Sequence, residues 1–269
     1  MSARAPELEP VLERPIGPFI LLRVLWRSFF FQSVTNYERM QNVGFAYCMA
    51  PALTRLYQGE ALEAAMTRHL AFFNSHPYMA GALLGATVRL EEEAAGARLP
   101  VEQVVAFKKY MMGPMAAIGD SFFWASLRPL AAAWAIMGIL SGVYWAPVAF
   151  LIFYNAFHLG LRTYGVFVGY RTGERICERI NRFGLVKFAD RSHYLTGAFL
   201  GITAALFADW STQTSAAVGE GAEPFLLSAL ILIFFFCLKR KMPMSMLLYT
   251  FSIGCIALIA ALDAWFPLI

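Results

Sequence analysis

Charged residues are scarce in this chain. They make up 15% of its 269 residues, against about 25% in an ordinary soluble domain, whereas 59% of the residues are hydrophobic. Charged residues are too few to cover the surface of a soluble globular protein of this size. Such a composition excludes intrinsic disorder, and a net charge of +4 is too weak to indicate a nucleic-acid partner.

Cysteine and catalytic motifs are also lacking. The four cysteines have no Cys-x-x-Cys spacing and stand mostly in apolar runs, which predicts small core side chains rather than disulfides or zinc ligands. No GxSxG, HExxH or Cys–His signature is present, so nothing favours a membrane enzyme. We therefore expect no metal, no cofactor and no catalytic residue.

A signal peptide is missing from the beginning of the sequence. Glu7, Glu9 and Glu13 stand where a signal peptide needs a basic start followed by an apolar stretch. Residues 1–17 are therefore expected to form a tail on the cytoplasmic side of a membrane.

Long uncharged runs dominate the second half. The longest covers residues 129–161 and exceeds the ~20 residues that one membrane span needs. Ser141, Gly142 and Pro147 could bend or divide this run. Three further uncharged runs predict additional spans: residues 193–208, 224–238 and 242–262.

The basic residues predict an orientation. One cluster lies between Arg171 and Arg191 and a second at residues 239–241, whereas residues 209–223 contain acids but neither Lys nor Arg. Because cytoplasmic loops carry the excess of basic residues, both clusters are expected inside and residues 209–223 outside. The C-terminus would then be external, which requires an odd number of crossings.

The first half of the chain has shorter apolar segments that charges interrupt. These segments fit either a soluble helical domain or short, broken or re-entrant helices buried against protein, as transporters use around a substrate. We expect an all-α polytopic membrane protein, with broken or re-entrant helices in residues 18–128 and transmembrane helices in residues 129–269.

An internal similarity links the two halves. Residues 78–90 read YMAGALLGATVRL, and residues 194–206 read YLTGAFLGITAAL. Each copy has two glycines on one helix face, a spacing that permits close helix contact: Gly81 with Gly85, and Gly197 with Gly201. Ancient duplication is one explanation, and chance coincidence of small residues in membrane helices is the other.

Four polar clusters interrupt the apolar first half: three that contain candidate site residues, taken in order below, and the run of glutamates at residues 91–93. They occur within RSFFFQSVTNYERMQNVGFAYCMAPAL at residues 27–53, RHLAFFNSHPYMAGALLGATVRLEEE at residues 68–93, and KKYMMGPMAAIGDSFFWASLRPL at residues 108–130. GYRTG follows at residues 169–173. In these motifs and their order the chain resembles the IID subunit of the mannose/fructose/sorbose family of the bacterial sugar phosphotransferase system. Beyond the last motif it resembles the family only in hydropathy.

The resemblance implies a function. In that family IID and a second membrane subunit, IIC, form the path for a hexose-type sugar, and cytoplasmic IIA and IIB proteins carry the phosphoryl group. We therefore expect a non-catalytic, multi-pass subunit of a hetero-oligomer in the phospholipid bilayer of the bacterial inner membrane, with its permease domain in residues 18–269. The alternative is a regulatory or scaffolding remnant that no longer transports sugar.

Four side chains in the first cluster are candidates for substrate or subunit contact: Gln32, Asn36, Glu38 and Gln41. Amide and carboxylate groups bind sugar hydroxyls in a dry cavity, with an aromatic face nearby. The cluster is expected to occupy one or two helical turns. The other interpretation is that Glu38 and Arg39 merely pair to satisfy a buried helix.

His76 is the candidate of the second cluster. A histidine carries the phosphoryl group in this system, but Pro77 follows His76 and the resemblance assigns phosphorylation to other subunits. We expect His76 to fix a tight turn, with Asn74 capping the next helix and a sugar contact as the alternative.

The third cluster predicts a helix break at Gly113–Pro114, with Asp120 or Ser121 capping the helix that follows. At the protein surface Asp120 would be only a cap. At membrane depth it would be functional, because a charge is costly there, and its apolar flanks favour this second interpretation.

Three consecutive glutamates, Glu91 to Glu93, follow an apolar stretch. We expect them to form a solvated helix end. Adjacent glutamates on a helix point in different directions, so they do not predict a metal site.

Overall fold

The computed structural model describes residues 15–214 and, beyond them, residues 232, 233, 235–237, 239, 240 and 242. Throughout the described part the regular structure is helical, apart from isolated β-bridges. The α-helices are α1 (Pro18–Ser28), α2 (Asn42–Leu56), α3 (Gly59–His69), α4 (Ala80–Ala95), α5 (Val101–Gly119), α6 (Arg128–Leu140), α7 (Ala146–Thr172), α8 (Ile176–Asn181) and α9 (Leu185–Thr214). A π-helix, Asp120–Leu127, joins α5 to α6, and a 3₁₀ turn, Gly173–Arg175, joins α7 to α8. The chain divides into compact units at residues 1–203 and 204–269, and the site described below belongs to the first.

The close crossing of α4 and α7 forms the centre of the first unit. A Cβ added to Gly81 would lie 2.6 Å from the Arg162 carbonyl oxygen, and one added to Gly169 would lie 2.6 Å from the Ala82 carbonyl oxygen. Small residues on both helices therefore bring the two backbones together. The prediction of close contact is confirmed for Gly81 and its neighbour Gly85.

The second glycine pair behaves differently. A Cβ added to Gly197 or Gly201 would meet no atom within 4 Å in the described structure. The predicted close contact is therefore not seen for this copy. The duplication itself stays a prediction.

Helix α1 is apolar on opposite faces. Leu21 and Val24 are buried against the body of the unit, whereas Phe19, Leu22 and Trp26 are exposed. A soluble protein rarely exposes so many large apolar side chains together. This arrangement suits a subunit whose outer surface meets lipid or another membrane protein.

The helix expected to break at Pro114 continues through it. Residues Val101–Leu140 form one helix. Of the helices in the described part of the chain, it is the only one long and apolar enough to cross a membrane. A core helix of a soluble protein would also pass this test. The helix therefore tolerates the hydrogen bond that Pro114 cannot donate, and a π-helix, a rare form, follows six residues later at Asp120–Leu127.

The other predicted spans have different outcomes. The uncharged run 129–161 is divided at residues 141–145, where Gly142 has a φ of +82°, so the expected division is confirmed. Residues 193–208 lie within α9. Of the runs 224–238 and 242–262, the structure describes only residues 232, 233, 235–237 and 242, so these two predicted spans lie mostly outside the described residues. The domain bounds, the number of crossings and the orientation stay predictions.

Candidate functional site

The polar residues after α1 form a closed turn. Asn36 and Met40 exchange two backbone hydrogen bonds of 3.0 Å, and the Asn36 side-chain oxygen accepts a bond of 2.7 Å from the Arg39 amide. Met40 has a φ of +55°, in a region that non-glycine residues seldom adopt. The expectation of one or two helical turns is wrong, because Asn36 bonds to the nearby backbone and closes a loop instead.

The tip of this turn, residues 37–39, is open to its surroundings. Tyr37 is fully exposed and the Glu38 side chain is 81% exposed. Glu38 Oε1 lies 3.5 Å from Arg39 Nε, and a pair as exposed as this stabilises a protein by at most about 1 kcal/mol. The interpretation that Glu38 and Arg39 satisfy a buried helix is therefore wrong. Gln32, earlier on the same loop, is also exposed.

A second polar loop, residues 70–79, braces the first. The Gln41 amide donates to the Phe73 carbonyl oxygen at 2.8 Å, and the Phe73 amide donates to the Arg39 carbonyl oxygen at 3.3 Å. The buried Gln41 side-chain oxygen accepts a bond of 2.9 Å from the Ser75 amide. Gln41 thus uses its acceptor inside the protein, where it holds the two loops in register.

Asn42 joins the two loops as well, and the sequence reasoning did not single it out. Its side-chain nitrogen donates to the Leu70 carbonyl oxygen at 2.7 Å, and its side-chain oxygen accepts from Asn36 Nδ2 at 2.9 Å. A buried amide needs hydrogen-bond partners. An asparagine at the start of an apolar helix could therefore have indicated that Asn42 bonds to a neighbouring loop.

His76 holds the turn before α4, as the sequence predicted. Its Nδ1 accepts a bond of 3.3 Å from the Tyr78 amide, and its carbonyl oxygen accepts the first amides of the helix. The ring is buried and stacks on Phe123, with centroids 5.2 Å apart. The predicted Asn74 cap is wrong, because Met79 occupies the N-cap position and no side chain caps the helix.

The loops also touch the long helix. The Ser75 hydroxyl donates to the Met112 carbonyl oxygen at 3.0 Å, and Gly119 packs directly against the His76 ring. Asp120, exposed, and Ser121, half-buried, follow at once.

The predicted capping by Asp120 or Ser121 is wrong, because the helix has no end there. The wider π-helical turn carries four side chains into the core: Phe122, Phe123, Ser126 and Leu127. Burial of these side chains accounts for the irregular turn, a form frequently found at functional sites.

Glu91 contradicts the expected solvated helix end. It is fully buried, and its two carboxylate oxygens accept bonds of 2.7 and 2.8 Å from the Arg68 guanidinium. His69 Nε2 lies 2.8 Å from Oε1, and the Tyr57 hydroxyl donates to Oε2 at 2.7 Å. Its partners lie more than twenty residues away in the chain, so the three consecutive glutamates could not indicate by themselves that Glu91 is buried.

The partners fix the charge of Glu91. Burial by itself raises the pKa of the carboxyl, but the hydrogen bonds from Arg68 and His69 outweigh burial and lower the pKa to about 2. Burial lowers the pKa of His69, so its ring is neutral at pH 7 and donates through Nε2 to the carboxylate. The result is one buried ion pair with two neutral donors, at the base of the 70–79 loop.

The next two glutamates are also engaged. Glu92 accepts bonds of 2.8 Å from the Ile16 amide and from the Tyr170 hydroxyl. Glu93 is partly exposed and receives a bond of 2.7 Å from Arg89 Nε. Glu92 thus connects α4 to the segment before α1 and to α7. Of the three glutamates, only Glu93 resembles the solvated helix end that the sequence predicts.

The candidate site is therefore an exposed polar tip on a buried, hydrogen-bonded base. All three sequence clusters meet here, although the expected helical turn and helix break are absent. Within the described residues, no group of three or more His, Cys, Asp or Glu side chains could hold a metal ion. The tip presents a carboxylate, a guanidinium and a phenol, which can bind hydroxyl groups of a ligand or polar groups of another subunit.

Comparison with known proteins identifies the family. Residues 20–262 match the model of the IID component of the mannose/fructose/sorbose family of the phosphotransferase system. The chain belongs to this family. The match extends through the C-terminal third, which the sequence motifs had related to the family only by hydropathy.

Individual relatives agree with the family. The mannose-specific EIID component of Escherichia coli O6:H1 is 36% identical over 214 residues, covering 78% of this chain and 74% of the relative. The sorbose-specific EIID component of Klebsiella pneumoniae is 34% identical over 71% of this chain and 70% of its own length. A chain from a cryo-EM complex of the mannose transporter ManYZ with microcin E492 is 30% identical, covers 92% of this chain and 98% of its own, and superposes with a TM-score of 0.57.

The IID assignment settles the general role. The chain is a membrane subunit of a mannose-family phosphotransferase permease, helical throughout the part that the structure describes, and it works in a membrane complex with IIC and other components of that system. The comparisons do not support the alternative of a regulatory remnant.

Proposed function

We propose that this IID subunit forms the sugar path together with IIC, and that the tip at residues 37–39 reaches that path or the IIC surface bordering it. Uptake of a hexose-type sugar would be coupled to phosphorylation by IIA and IIB. The two relatives described above are a mannose-specific and a sorbose-specific component, so mannose and sorbose are the first sugars to test.

One observation carries the proposal. Glu38 presents a largely exposed carboxylate on a loop whose base is held by buried hydrogen bonds. A fixed loop loses little conformational freedom on binding, and a carboxylate is a strong acceptor for sugar hydroxyls. The free subunit thus already presents a strong acceptor on a loop that needs little ordering to bind.

The other candidate residues divide into two roles. Gln32 and Asp120 are exposed and Ser121 is half-buried, and we propose these three as further contacts along the same path. Asn36 and Gln41 act on the ligand only through the loops they hold, because their side chains are bonded internally. We propose the turn-holding role for His76 too, since its buried ring is packed among aromatic side chains.

The membrane arrangement is proposed from the charge pattern. We propose several crossings of the bacterial inner membrane, a cytoplasmic N-terminal tail in residues 1–17 and an external C-terminus. The basic cluster between Arg171 and Arg191 supports a cytoplasmic location for that segment. Its side chains also suit contact with the cytoplasmic IIB protein or anionic lipid.

The test is sugar uptake by cells that make the complex with single substitutions. Glu38→Gln should lower uptake at least tenfold, because a hydrogen bond to a charged group is worth about 1.5–3 kcal/mol. Glu63→Gln is the matched control, since Glu63 is an exposed glutamate on α3, outside both loops. Co-purification with IIC is measured in parallel.

Two results would be informative in different ways. Reduced uptake with normal co-purification assigns Glu38 to the sugar path, and lost co-purification assigns it to the IIC surface. Normal uptake and normal co-purification, after each of Asn36→Ala, Glu38→Gln and Gln41→Ala, would refute the role of the tip.

A further inference from the structure

A cavity with an apolar lining lies between α6, α7 and α9. Its volume is about 410 Å³, within the range of about 300–1,000 Å³ that is usual for small-molecule sites. Its lining consists of aliphatic and aromatic side chains: Leu130, Ala131, Trp134, Ala149, Phe153 and Phe199. A sugar would lose hydrogen bonds to water here without replacing them, so the cavity suits a hydrocarbon group.

The cavity opens onto an apolar surface. Phe153 lines the cavity and is itself 44% exposed, and its neighbour on α7, Ile152, is exposed as well. In a membrane subunit, an acyl chain from the bilayer could enter from that side.

One charged residue stands at the edge of this apolar region. Arg128 begins α6 and lies three residues before Ala131, on the same helix face. It is exposed, and its charge lies close enough to the Tyr154 hydroxyl to interact with it, but it forms no hydrogen bond or ion pair with any residue that the structure describes. An arginine in a membrane helix is costly unless it finds a partner, and its guanidinium matches the geometry of a phosphate group.

The length of α6 sets the depth of the Arg128 charge in the membrane. The helix has 13 residues and so rises about 20 Å from Arg128 to the turn that precedes α7. That turn exposes Tyr144 and Trp145, side chains enriched at membrane interfaces. If the turn lies at one interface, Arg128 lies towards the opposite one, and the cavity lies between the two.

We propose that Arg128 and the cavity bind one phospholipid with an anionic headgroup. Its phosphate contacts the Arg128 guanidinium, and one acyl chain extends along α6 into the cavity beside Trp134. The lipid then contacts three helices at once and stabilises their packing.

Fluorescence quenching of Trp134 tests this proposal directly. The intact membrane complex is reconstituted in bilayers that contain phosphatidylglycerol or phosphatidylcholine with brominated acyl chains, because bromine quenches nearby tryptophan. The chain has six tryptophans, so the Trp134 signal is obtained by subtracting the signal of the Trp134→Phe variant. We expect Trp134 to prefer brominated phosphatidylglycerol about fivefold, the factor that one basic side chain near an anionic lipid provides.

Two substitutions separate the headgroup contact from the cavity. Arg128→Gln should abolish the preference for phosphatidylglycerol, whereas Arg23→Gln, which removes an exposed arginine on α1, should leave it unchanged. Ala149→Phe fills the cavity and should reduce quenching of Trp134 by both lipids.

Three outcomes would overturn the proposal. Equal quenching by the two lipids in the unaltered complex would mean an ordinary lipid annulus without a headgroup site. A preference that survives Arg128→Gln would place the headgroup contact elsewhere. Absence of quenching by either lipid would mean that a protein segment fills the cavity. The assay measures lipid binding alone, so its result is independent of whether Glu38 contributes to uptake.

Discussion

Replacing Glu91 by glutamine removes one negative charge and almost no volume. The change leaves the Arg68 guanidinium, which is largely but not fully buried, without its carboxylate, although Tyr57 and His69 still have a polar neighbour. Breaking a buried ion pair in this way costs about 3–5 kcal/mol. The pKa of Glu91 gives a similar figure, because lowering it from 4.5 to about 2 corresponds to about 3 kcal/mol at neutral pH.

The assay is the melting temperature of the purified complex, followed by size-exclusion chromatography after heating. A loss of about 3 kcal/mol should lower the melting temperature by about 6–12 °C for a chain of this size. Glu93→Gln is the control on the same helix. Its salt bridge with Arg89 is partly exposed and worth at most about 1 kcal/mol, so its melting temperature should fall by no more than about 4 °C.

The pH dependence supplies an independent check. Because the pKa of the Glu91 carboxyl is lowered in the folded state, its contribution is complete above the unfolded value of 4.5 and is lost as the pH falls towards 2. The difference between wild type and Glu91→Gln should therefore stay constant from pH 8 to pH 5.5. Equal melting of the two proteins, or a decrease in Glu93→Gln as large as that in Glu91→Gln, would refute the reasoning.

Two further substitutions have matched controls within the chain. Gly85→Val would drive a side chain into the backbone at Val166 and should destabilise the complex by at least about 1–3 kcal/mol, whereas Gly201→Val meets no described atom and should melt as wild type does. Asn42→Ala removes the two side-chain hydrogen bonds that Asn42 makes to the polar loops and should cost about 1–3 kcal/mol in the same melting assay. Asn155→Ala is its control. That exposed amide bonds only within its own helix, to the Leu151 carbonyl oxygen at 2.8 Å and to His158 Nδ1 at 3.4 Å, so its loss should cost less than about 1 kcal/mol.

Features that depend on short-range spacing could be predicted from the sequence. The helical character of the chain, the division of the uncharged run near Gly142, the glycine face of α4 and the turn held by His76 are all present in the described structure. Each of these depends on residues a few positions apart. A helix face repeats every three to four residues, and a turn occupies about four.

Features that depend on distant partners could not be predicted. Glu91 is buried because Arg68 and Tyr57 reach it from 23 and 34 positions away in the chain. Nothing in a run of three glutamates tells which of them meets an arginine in the folded protein. The helix break expected at Pro114 is a related case, because local propensity favours a break there although the helix continues in the folded chain.

The same distinction explains why the polar motif after α1 was only partly understood. From composition alone, Asn36, Glu38 and Gln41 were equivalent candidates for binding. In the folded chain, the side chains of Asn36 and Gln41 are hydrogen-bonded to Asn42 and Ser75. Of the three candidates, only the Glu38 carboxylate is largely exposed and able to bind a ligand. Changes at the amides should therefore act through the amount of correctly folded complex, whereas a change at Glu38 should act on each complex individually. Uptake divided by the amount of complex in the membrane separates these two effects, because only the second lowers that ratio.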